Sequence, residues 1–327
     1  MSRWVTGKKV LVTGGAGFIG SNLVESLLSH GNHVVCLDNF STGRRENVRE
    51  FHDNLNFSLL EGDIRDLQTC MKACEGVELV FHQAALGSVP RSIKDPVTTT
   101  DVNIGGFVKM LFSAKEKGVK RFIYAASSST YGDSVGLPKV ENKIGKPLSP
   151  YGITKFTDEL FAENFSVIYN IDVIGLRYFN VFGYKQDPEG AYAAVIPRFM
   201  SDLFSGKQPL INGDGSHSRD FTFIDNVVLA NHLAATVCDD LALNQVYNVA
   251  CGKQTTLARL FEIIRQYAAN YDEAALGIEP VHGPDREGDI PHSLASIEKA
   301  STLLGYNPTV YPEDGLRLTV DWFWNNK

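Results

Sequence analysis

The stretch KKVLVTGGAGFIGSNLVESLLSHGNHVVCLDNF, residues 8–40, places an apolar strand, a glycine-rich turn, a helix and a second apolar strand in that order. We predict a strand at 9–12, an amphipathic helix at 19–28 and a strand at 33–37 that ends on Asp38. Glycines in such a turn let the backbone approach a pyrophosphate, which rests on the helix N-terminus. Because the glycines stand in the strand–turn–helix context that this binding requires, the stretch predicts a dinucleotide cradle.

The residue that ends the second strand indicates which dinucleotide the cradle takes. Asp38 is placed to accept hydrogen bonds from the adenosine ribose hydroxyls, and its charge would repel a 2′-phosphate. Arg44 and Arg45 are the opposing signal, since an arginine in this region can accommodate that phosphate. They follow the strand end by several residues, and we interpret them as solvated loop arginines. The sequence therefore predicts NAD rather than NADP.

Further apolar segments continue the alternation of strands and helices: NFSLLEGD, ELVFHQAA, KRFIYAAS and DVIGLRYFNVFG. With the first two strands they predict an α/β fold, a Rossmann-type doubly wound parallel sheet. Ligands of such sheets bind at the carboxyl ends of the strands. Small or polar residues stand at these ends, at Asp63–Ile64, Gln83–Ala85, Ser127–Ser129 and Tyr178–Asn180. We therefore expect one binding site along this edge.

The second half of the chain is less regular than the first. We predict an NAD-binding Rossmann domain at 1–183, and at 184–327 mainly a smaller α/β substrate-binding domain. The second domain is expected to be discontinuous, because 220–252 should return to the Rossmann side with an apolar helix and the strand QVYNVA. Two further helices are expected in TTLARLFEIIRQYAANY and SIEKASTLLGY.

Composition and charge narrow the class of protein. The chain has 327 residues, of which 43% are hydrophobic and 21% charged, as in ordinary globular proteins. Its net charge of −7, without a basic run, disfavours a nucleic-acid partner. No apolar stretch approaches the roughly 18 residues of a membrane span, and the polar N-terminus runs straight into a strand. We therefore expect a cytoplasmic protein without a membrane partner.

The cysteines support a reducing compartment. There are five of them, an odd number without a CxxC pair, at positions 36, 70, 74, 238 and 251. We expect them to be small buried apolar side chains. We expect no metal site, because no histidine or further cysteine pair accompanies positions 70 and 74.

The stretch SPYGITK, residues 149–155, places a tyrosine and a lysine four positions apart at the start of a predicted helix. Pro150 suits the first turn, and Tyr151 and Lys155 share one helix face. Taken alone, this pair also fits an ordinary amphipathic helix. Since free tyrosine has a pKa of about 10, a nearby ammonium and a nicotinamide ring would lower that pKa and make it a usable base. The serines of AASSSTYG end the preceding strand and could hold a substrate oxygen beside it.

At this point the sequence resembles a known family. The motifs TGGAGFIG, HQAA, SSSTYG, SPYGITK and LRYFNVFG look like those of the extended short-chain dehydrogenase/reductases. LGSVPRS, GAYAAVIPRF, INGDGSHSRDFTFIDNV and DREGDIPHS resemble the UDP-sugar 4-epimerases that act on N-acetylated hexoses and their uronates. The resemblance covers nearly the whole chain. It implies an NAD-dependent isomerase that interconverts UDP-GlcNAc and UDP-GalNAc, or their uronates, through a transient 4-keto sugar.

The resemblance also implies roles for individual residues. Tyr151 would be the acid/base, Lys155 its electrostatic partner and a ribose ligand, and Ser128 the contact to the reacting hydroxyl. The serine run is one residue shorter than in many relatives, which leaves Ser127 and Ser129 as rival assignments. The residues expected to line NAD are Gly14, Gly17, Phe18, Ile19, Gly20, Asp38, Asn39, Phe40, Ser41, Thr42, Gly43, Asp63, Ile64, Gln83, Ala84, Ala85, Leu86, Asn103, Ser127, Tyr151, Lys155 and Tyr178.

The UDP-sugar would be held by a second set of residues. Arg219 and Arg286 offer planar guanidinium forks for a pyrophosphate. Pro291 stands where close relatives often carry a basic residue, so we expect no second phosphate contact there. Ser293 takes the position that borders the C2 substituent, where a small residue leaves room for an acetamido group. The full expected set is Gly87, Ser88, Arg91, Ser128, Ser129, Tyr151, Asn180, Ala194, Val195, Asn212, Arg219, Arg286, Asp289 and Ser293.

Several alternative functions remain. A UDP-glucose/UDP-galactose 4-epimerase would share most of these motifs. A 4,6-dehydratase typically carries Asp-Glu where this chain has Ser129 and Thr130, and a uronate decarboxylase would need an acidic residue there. A non-catalytic NAD-sensing module need not keep the hydroxyl–Tyr–Lys set. We also expect a homodimer, because apolar faces of predicted helices at 104–117 and 151–170 could form a four-helix bundle across a two-fold axis.

Overall fold

The structure is a computed structural model that describes residues 3–188, 194–284 and 290–326. In chain order, the strands within these ranges are β1 Lys9–Thr13, β2 His33–Asp38, β3 Phe57–Glu61, β4 Leu79–His82, β5 Arg121–Ser127, β6 Asp172–Tyr178, β7 Val181–Phe182, β8 Leu210–Asn212, β9 Ser218–Arg219, β10 Thr222–Phe223, β11 Gln245–Val249, β12 Thr255–Thr256 and β13 Val281–Gly283.

The α-helices of the described ranges are α1 Phe18–Ser29, α2 Glu46–Arg49, α3 Leu67–Ala73, α4 Val89–Lys94, α5 Pro96–Thr100, α6 Phe107–Glu116, α7 Pro150–Tyr169, α8 Val195–Phe204, α9 Ile224–Thr236, α10 Leu257–Ala268, α11 Glu298–Leu304 and α12 Pro312–Asn325. A π-helical segment, Asp101–Gly106, joins α5 to α6, and 3₁₀ turns occur at Ser128–Tyr131, Asp240–Ala242 and Glu273–Gly277.

The centre of the molecule is a seven-stranded parallel sheet with the order β11–β6–β5–β4–β1–β2–β3. The chain builds outward from β1 to β3 and then from β4 to β11 on the other side, so the direction of winding changes between β1 and β4. A crevice at the carboxyl ends of the strands is expected at such a point. This confirms the predicted doubly wound sheet, and β11 is the strand predicted from QVYNVA.

Both faces of the sheet are buried, as its apolar strands predict. Val10 and Val12 belong to one core cluster, with α1 and α9, whereas Leu11 belongs to a second cluster, with α3, α6 and α7. Successive side chains of a strand point to opposite faces, and all three residues are fully buried. Helices therefore cover both faces of the sheet, α1 and α9 on one side and α3, α6 and α7 on the other.

Helix α7 starts where the sequence predicts. Ser149 caps it by accepting a hydrogen bond from the Gly152 N–H at 3.1 Å, and Pro150 occupies its first turn. It ends at Asn170, which adopts a left-handed conformation with φ of 54°.

Two helices of the described chain, α8 and α12, are not among the sequence predictions. Helix α12 packs beside α10, and its Trp322, Phe323 and Trp324 lie against aromatic rings of other elements. Within the described ranges, none of the helices combines the length and the apolar character needed to cross a membrane.

Candidate active site

The glycine turn between β1 and α1 brings three backbone segments close together. Gly14 has φ of +65°, and a Cβ there would stand 2.8 Å from the backbone N and Cα of Ala84. A Cβ on Gly20 would collide with the carbonyl oxygen of Gly14. Only glycine fits at these two positions, so the turn leaves the space above the N-terminus of α1 open to a ligand.

Asp38 lies at the edge of that space. Its carboxylate accepts hydrogen bonds from the backbone N–H groups of Ala16 at 2.9 Å and Phe40 at 2.8 Å. Burial raises the pKa of Asp38, and these backbone N–H groups oppose the rise. Each carboxylate oxygen has a second lone pair, which remains available to the hydroxyls of a ribose.

Arg44 and Arg45 are engaged with acidic residues. Arg45 binds both carboxylate oxygens of Glu61 at 2.8 Å, and its guanidinium lies 4.0 Å from the centre of the Phe40 ring. Arg44 pairs with Asp187 at 3.1 Å. Both side chains are about half exposed, as predicted for loop arginines, and neither lines the cavity beside Asp38.

That cavity has a volume of about 620 Å³, within the usual range for ligand sites. Of the residues expected to line NAD, it is bordered by Gly14, Gly17, Phe18, Ile19, Gly20, Asp38, Asn39, Phe40, Ser41, Thr42, Gly43, Asp63, Ile64, Gln83, Ala84, Ala85 and Leu86. Any side chain on the glycine turn would fill this space. The open turn and the acid at the end of β2, Asp38, together fit a dinucleotide.

Tyr178 and Asn103 do not line the cavity but stand behind residues that do. The Tyr178 hydroxyl donates to Gln83 Oε1 at 3.1 Å and accepts from Asn231 at 2.9 Å. Asn103 accepts from the Leu86 N–H at 2.8 Å and donates to Thr154 Oγ1 at 3.0 Å, which ties the cavity loop to α7. In this structure both side chains hold lining residues in place.

A second cavity, of about 630 Å³, adjoins the first. The two share Gly87, Ser88, Gln186 and Ala194. Of the expected substrate residues, the second cavity is bordered by Gly87, Ser88, Asn180, Ala194, Val195, Asn212 and Arg219, while Arg91 borders the first. A ligand with two moieties could therefore extend from one cavity into the other through the shared wall.

Some expected substrate residues lie elsewhere. Arg286 and Asp289 fall outside the described residues. Ser293 is half-buried, and its backbone N–H donates to the Ser218 carbonyl at 3.0 Å, beside Arg219. Sequence reasoning did not single out Gln186 or Arg198, which border the second cavity. A detectable signal was Arg198 itself, a charged residue in the otherwise apolar stretch VIPRFM.

The serine turn that follows β5 packs directly on the first turn of α7. A Cβ on Gly152 would stand 2.9 Å from the Ser129 carbonyl oxygen, so the chain segments that carry Ser129 and Tyr151 are neighbours. Ser127 is buried, and its hydroxyl accepts from the Ser129 N–H at 3.1 Å. Ser128 and Ser129 are half-buried, and they are the better candidates for a substrate contact. None of these serines, nor Tyr151, borders the two cavities.

Lys155 is almost completely buried one turn after Tyr151. Its ammonium donates to the carbonyl oxygen of Ala125 on β5 at 2.9 Å and lies 3.2 Å from Asp158 Oδ2. Tyr151 is half-buried. Helix α7 thus holds the Lys155 ammonium against β5, one turn after Tyr151. In the described ranges no three His, Cys, Asp or Glu side chains group as metal ligands would.

Known proteins resemble this chain over nearly its whole length. It is 35% identical over 319 residues to the UDP-glucose 4-epimerase of Mycolicibacterium smegmatis, covering 97% of this chain and 99% of that one. Among solved structures, the UDP-N-acetylglucosamine 4-epimerase of Methanobrevibacter ruminantium, in complex with UDP-N-acetylmuramic acid, superposes with a TM-score of 0.91 at 38% identity, covering 99% of this chain and 100% of that one.

A second solved structure, the UDP-glucose 4-epimerase of Thermotoga maritima with UDP-glucose, superposes with a TM-score of 0.89 at 37% identity, covering 97% of this chain and 99% of that one. The sequence model of the NAD dependent epimerase/dehydratase family matches residues 10–250. With the glycine cradle, Asp38 and the Tyr151–Lys155 helix already in place, the chain belongs to the NAD-dependent epimerase/dehydratase family.

Proposed function

We propose that this protein is an NAD-dependent 4-epimerase of UDP-N-acetylhexosamines or their uronates. The observation that carries the proposal is the pair of adjoining cavities that share Gly87 and Ser88. One cavity has the form of a dinucleotide cradle and the other has Arg219 in its wall. Such a pair suits two ligands that lie side by side, and the relatives act on UDP-sugars by name.

The residues around Asp38 and the glycine turn would hold NAD. The chemistry that NAD supplies when bound is reversible acceptance of a hydride from C4 of the sugar. Tyr151 takes the proton from O4 and later gives it back, acting as general base and then as general acid. The charge of Lys155 favours the phenolate form of Tyr151, and Ser128 or Ser129 holds O4 while the proton moves.

The second cavity would hold the UDP-sugar. We assign its diphosphate to Arg219, with Asn180, Ala194, Val195 and Asn212 along the nucleotide. Arg286 and Asp289 are expected to complete this set, though they lie outside the described residues. The chain must hold the uridine diphosphate firmly and the sugar loosely, because the two epimers present opposite faces of C4.

The choice of an N-acetylated substrate rests on Ser293. The second candidate is a UDP-glucose 4-epimerase, which the names of the M. smegmatis and T. maritima relatives favour. A small side chain at Ser293 leaves room for a C2 acetamido group, and the M. ruminantium enzyme is a UDP-N-acetylglucosamine 4-epimerase by name. We therefore place the N-acetylated sugars first.

We further infer a two-domain division, with 1–183 binding NAD and 184–327 mainly binding the UDP-sugar, apart from 220–252. In the sheet, β11 pairs with β6, which supports counting that segment with the first domain. We also infer a cytoplasmic homodimer. The five cysteines are free thiols, which suits a reducing compartment. Four of them are buried as predicted, but the prediction was wrong for Cys238, which is exposed in the segment that follows α9. Helix α7 also exposes apolar side chains that suit a subunit contact.

The function is tested by incubating the purified protein separately with UDP-GlcNAc, UDP-glucose and UDP-GlcNAc uronate and following the 4-epimer by proton NMR. We expect epimerisation of an N-acetylated sugar to be faster than that of UDP-glucose. Because the cofactor is regenerated in every turnover, denatured protein should also release near-stoichiometric NAD. A protein that binds these sugars without forming any 4-epimer would contradict the proposal.

A further inference from the structure

Helix α7 carries a buried ion pair one turn beyond Tyr151. Lys155 Nζ lies 3.2 Å from Asp158 Oδ2, and the two side chains are only 3% and 1% exposed. The same ammonium donates to the Ala125 carbonyl oxygen at 2.9 Å. Because an ammonium has three N–H donors and the fold uses two of them, one donor is left for a further acceptor.

The carboxylate of Asp158 is incompletely satisfied. Its second oxygen, Oδ1, is buried and has no hydrogen-bond partner among the described residues. An unpartnered carboxylate oxygen away from water is costly, so the hydrogen bonds of Asp158 do not by themselves explain an acid at this position. Burial raises the pKa of Asp158 to about 7, and the charge of Lys155 opposes the rise.

The other charged groups near this pair are already neutralised. Glu159, the next residue of α7, accepts hydrogen bonds from Nε and Nη2 of Arg177 on β6, at 2.8 and 2.7 Å. From β4, His82 faces Lys155, and burial together with the lysine lowers the pKa of His82 to about 3, so its ring is neutral. From β5, Tyr124 is buried, and burial raises the pKa of its hydroxyl.

The charged side chains on the helices packed against α7 are not buried: Arg91 of α4 is partly exposed, and so is Lys115 of α6, which lies over the Tyr169 ring at the far end of α7. The buried residues of α4, α5 and α6, and of the π-helical segment between the last two, are uncharged: Ser92, Thr99, Asn103, Gly106, Phe107, Met110, Leu111, Ser113 and Ala114. The 3₁₀ turn after β5 buries Thr130 and Tyr131. Among the described residues, Asp158 is therefore the buried carboxylate that pairs directly with Lys155.

We propose that Asp158 is a positioning residue for the proposed epimerase reaction, which fixes the Lys155 ammonium and, when ionised, offsets part of the charge that stabilises the Tyr151 phenolate. This inference rests on the proposed function, in which Tyr151 is the acid/base. Asp158 acts through Lys155 and does not touch the sugar.

The test is a titration of Tyr151 that does not depend on turnover. The near-ultraviolet absorbance of phenolate is followed against pH in a protein and in its Tyr151→Phe counterpart, and the difference isolates Tyr151. Asp158→Asn keeps the shape and removes the charge. We expect it to lower the midpoint by roughly one pH unit, the order of effect of a unit charge about 10 Å away, seven residues along a helix, at an effective dielectric constant of about 20.

Glu163→Gln is the matched control, since Glu163 is an exposed acid on the same helix, and it should leave the midpoint unchanged. If Asp158→Asn fails to fold, Asp158→Ser, which keeps an uncharged acceptor for Lys155, should move the midpoint in the same direction. A midpoint in the folded variants equal to that of wild type would overturn the proposal.

Activity gives a second readout. In Asp158→Asn the acid limb of the pH profile of kcat should move to lower pH in step with the titration, with little change in KM, whereas a merely structural role would lower activity at all pH values alike. A wild-type protein without epimerase activity would refute the proposed function and leave the Tyr151 titration to decide the role of Asp158.

Discussion

At the scale of single residues, the dinucleotide cradle depends on positions where any side chain would collide with neighbouring backbone. Gly14 combines a left-handed backbone with a neighbour that a Cβ would strike, the backbone of Ala84. Gly31 has a similar φ of +73° but open space around it. Comparing the two positions therefore separates the free-energy cost of a left-handed backbone from the additional cost of a steric collision.

We expect Gly14→Ala to lower the free energy of unfolding by more than Gly31→Ala. The shared left-handed cost is about 1–2 kcal/mol, and Gly14→Ala adds the displacement of Ala84, which also borders the cavity. Urea unfolding of both variants and the NAD content of the folded fraction are the measurements. Equal losses of stability, with NAD retained in Gly14→Ala, would show that the close approach is unimportant.

Substrate size is a second prediction at this scale. Ser293→Tyr should fill the space beside a C2 acetamido group, while a C2 hydroxyl still fits. Overpacking costs about 1–3 kcal/mol, which is about 5- to 150-fold in kcat/KM if felt fully in the transition state. The variant should prefer UDP-glucose over UDP-GlcNAc, the reverse of wild type, while Ser293→Ala keeps the wild-type order. An unchanged preference in folded Ser293→Tyr would refute the role of Ser293.

Residues were predictable where local sequence sets their chemistry. Asp38 and Gly14 could be predicted because their roles follow from a short strand–turn–helix pattern. Asp158 could not be, because its importance comes from burial and from an unpartnered oxygen, which only the packing of α7 creates. Gln186 was missed for a related reason, since the wall it forms is shared by two cavities.

At the scale of elements, α7 is held to the sheet by charge as well as by apolar contacts. Glu159 and Arg177 form a buried bidentate pair between α7 and β6. Arg177 also donates to the Glu141 carbonyl at 2.9 Å and lies over the Tyr131 ring at 4.8 Å. This anchor fixes the helix that positions Tyr151.

Removing one partner of this pair leaves a buried charge uncompensated. We expect Glu159→Gln to lower the free energy of unfolding by about 3–5 kcal/mol, whereas Glu163→Gln, on the exposed face of the same helix, should change it little. Denaturant unfolding of the two variants measures the difference. A loss below about 1 kcal/mol in Glu159→Gln would mean that apolar packing alone holds α7.

The elements that sequence reasoning missed have particular causes. Helix α12 contains Gly315, which lowers helix propensity, yet a Cβ there would stand 2.8 Å from Phe223 and 2.9 Å from Phe182. The glycine is therefore needed by the tertiary contact. The π-helical segment that carries Asn103 is likewise hidden, because it changes hydrogen bonding without changing the apolar pattern that predicts a helix at 104–117.

At the scale of the whole molecule, the sheet was predictable from short patterns, and the second cavity was not. Strands and helices each leave a local period in the sequence. The wall of the second cavity, by contrast, is assembled from separate segments such as 87–90, 194–202 and 210–212. The resemblance to a family supplied several of its residues, such as Asn180 and Arg219, without their arrangement.

The exposed apolar side chains of α7 are the basis for our prediction that two copies of the chain associate. Ile153, Leu160 and Val167 are 53%, 51% and 80% exposed, more than a helix that covers only its own sheet requires. With α6, they would form a four-helix bundle across a two-fold axis. We expect light scattering at micromolar concentration to give the mass of a dimer.

Leu160→Arg should shift this dimer toward monomer by placing a charge in the bundle. Leu55→Arg, at a 99% exposed position before β3, is the control and should leave the mass unchanged. A wild-type protein that is monomeric at micromolar concentrations would contradict the prediction of a dimer.

The central claim is that Tyr151 is the acid/base of a UDP-sugar 4-epimerase, and Tyr151→Phe tests it most directly, because the ring stays and only the hydroxyl is lost. Tyr169→Phe, at the other end of α7, is the control. The measurement is the initial rate of conversion of UDP-GlcNAc to UDP-GalNAc by proton NMR, in folded proteins of equal NAD content. We predict a rate lower by about 10² to 10⁴ in Tyr151→Phe and a normal rate in Tyr169→Phe. A near-wild-type rate in Tyr151→Phe would contradict the account.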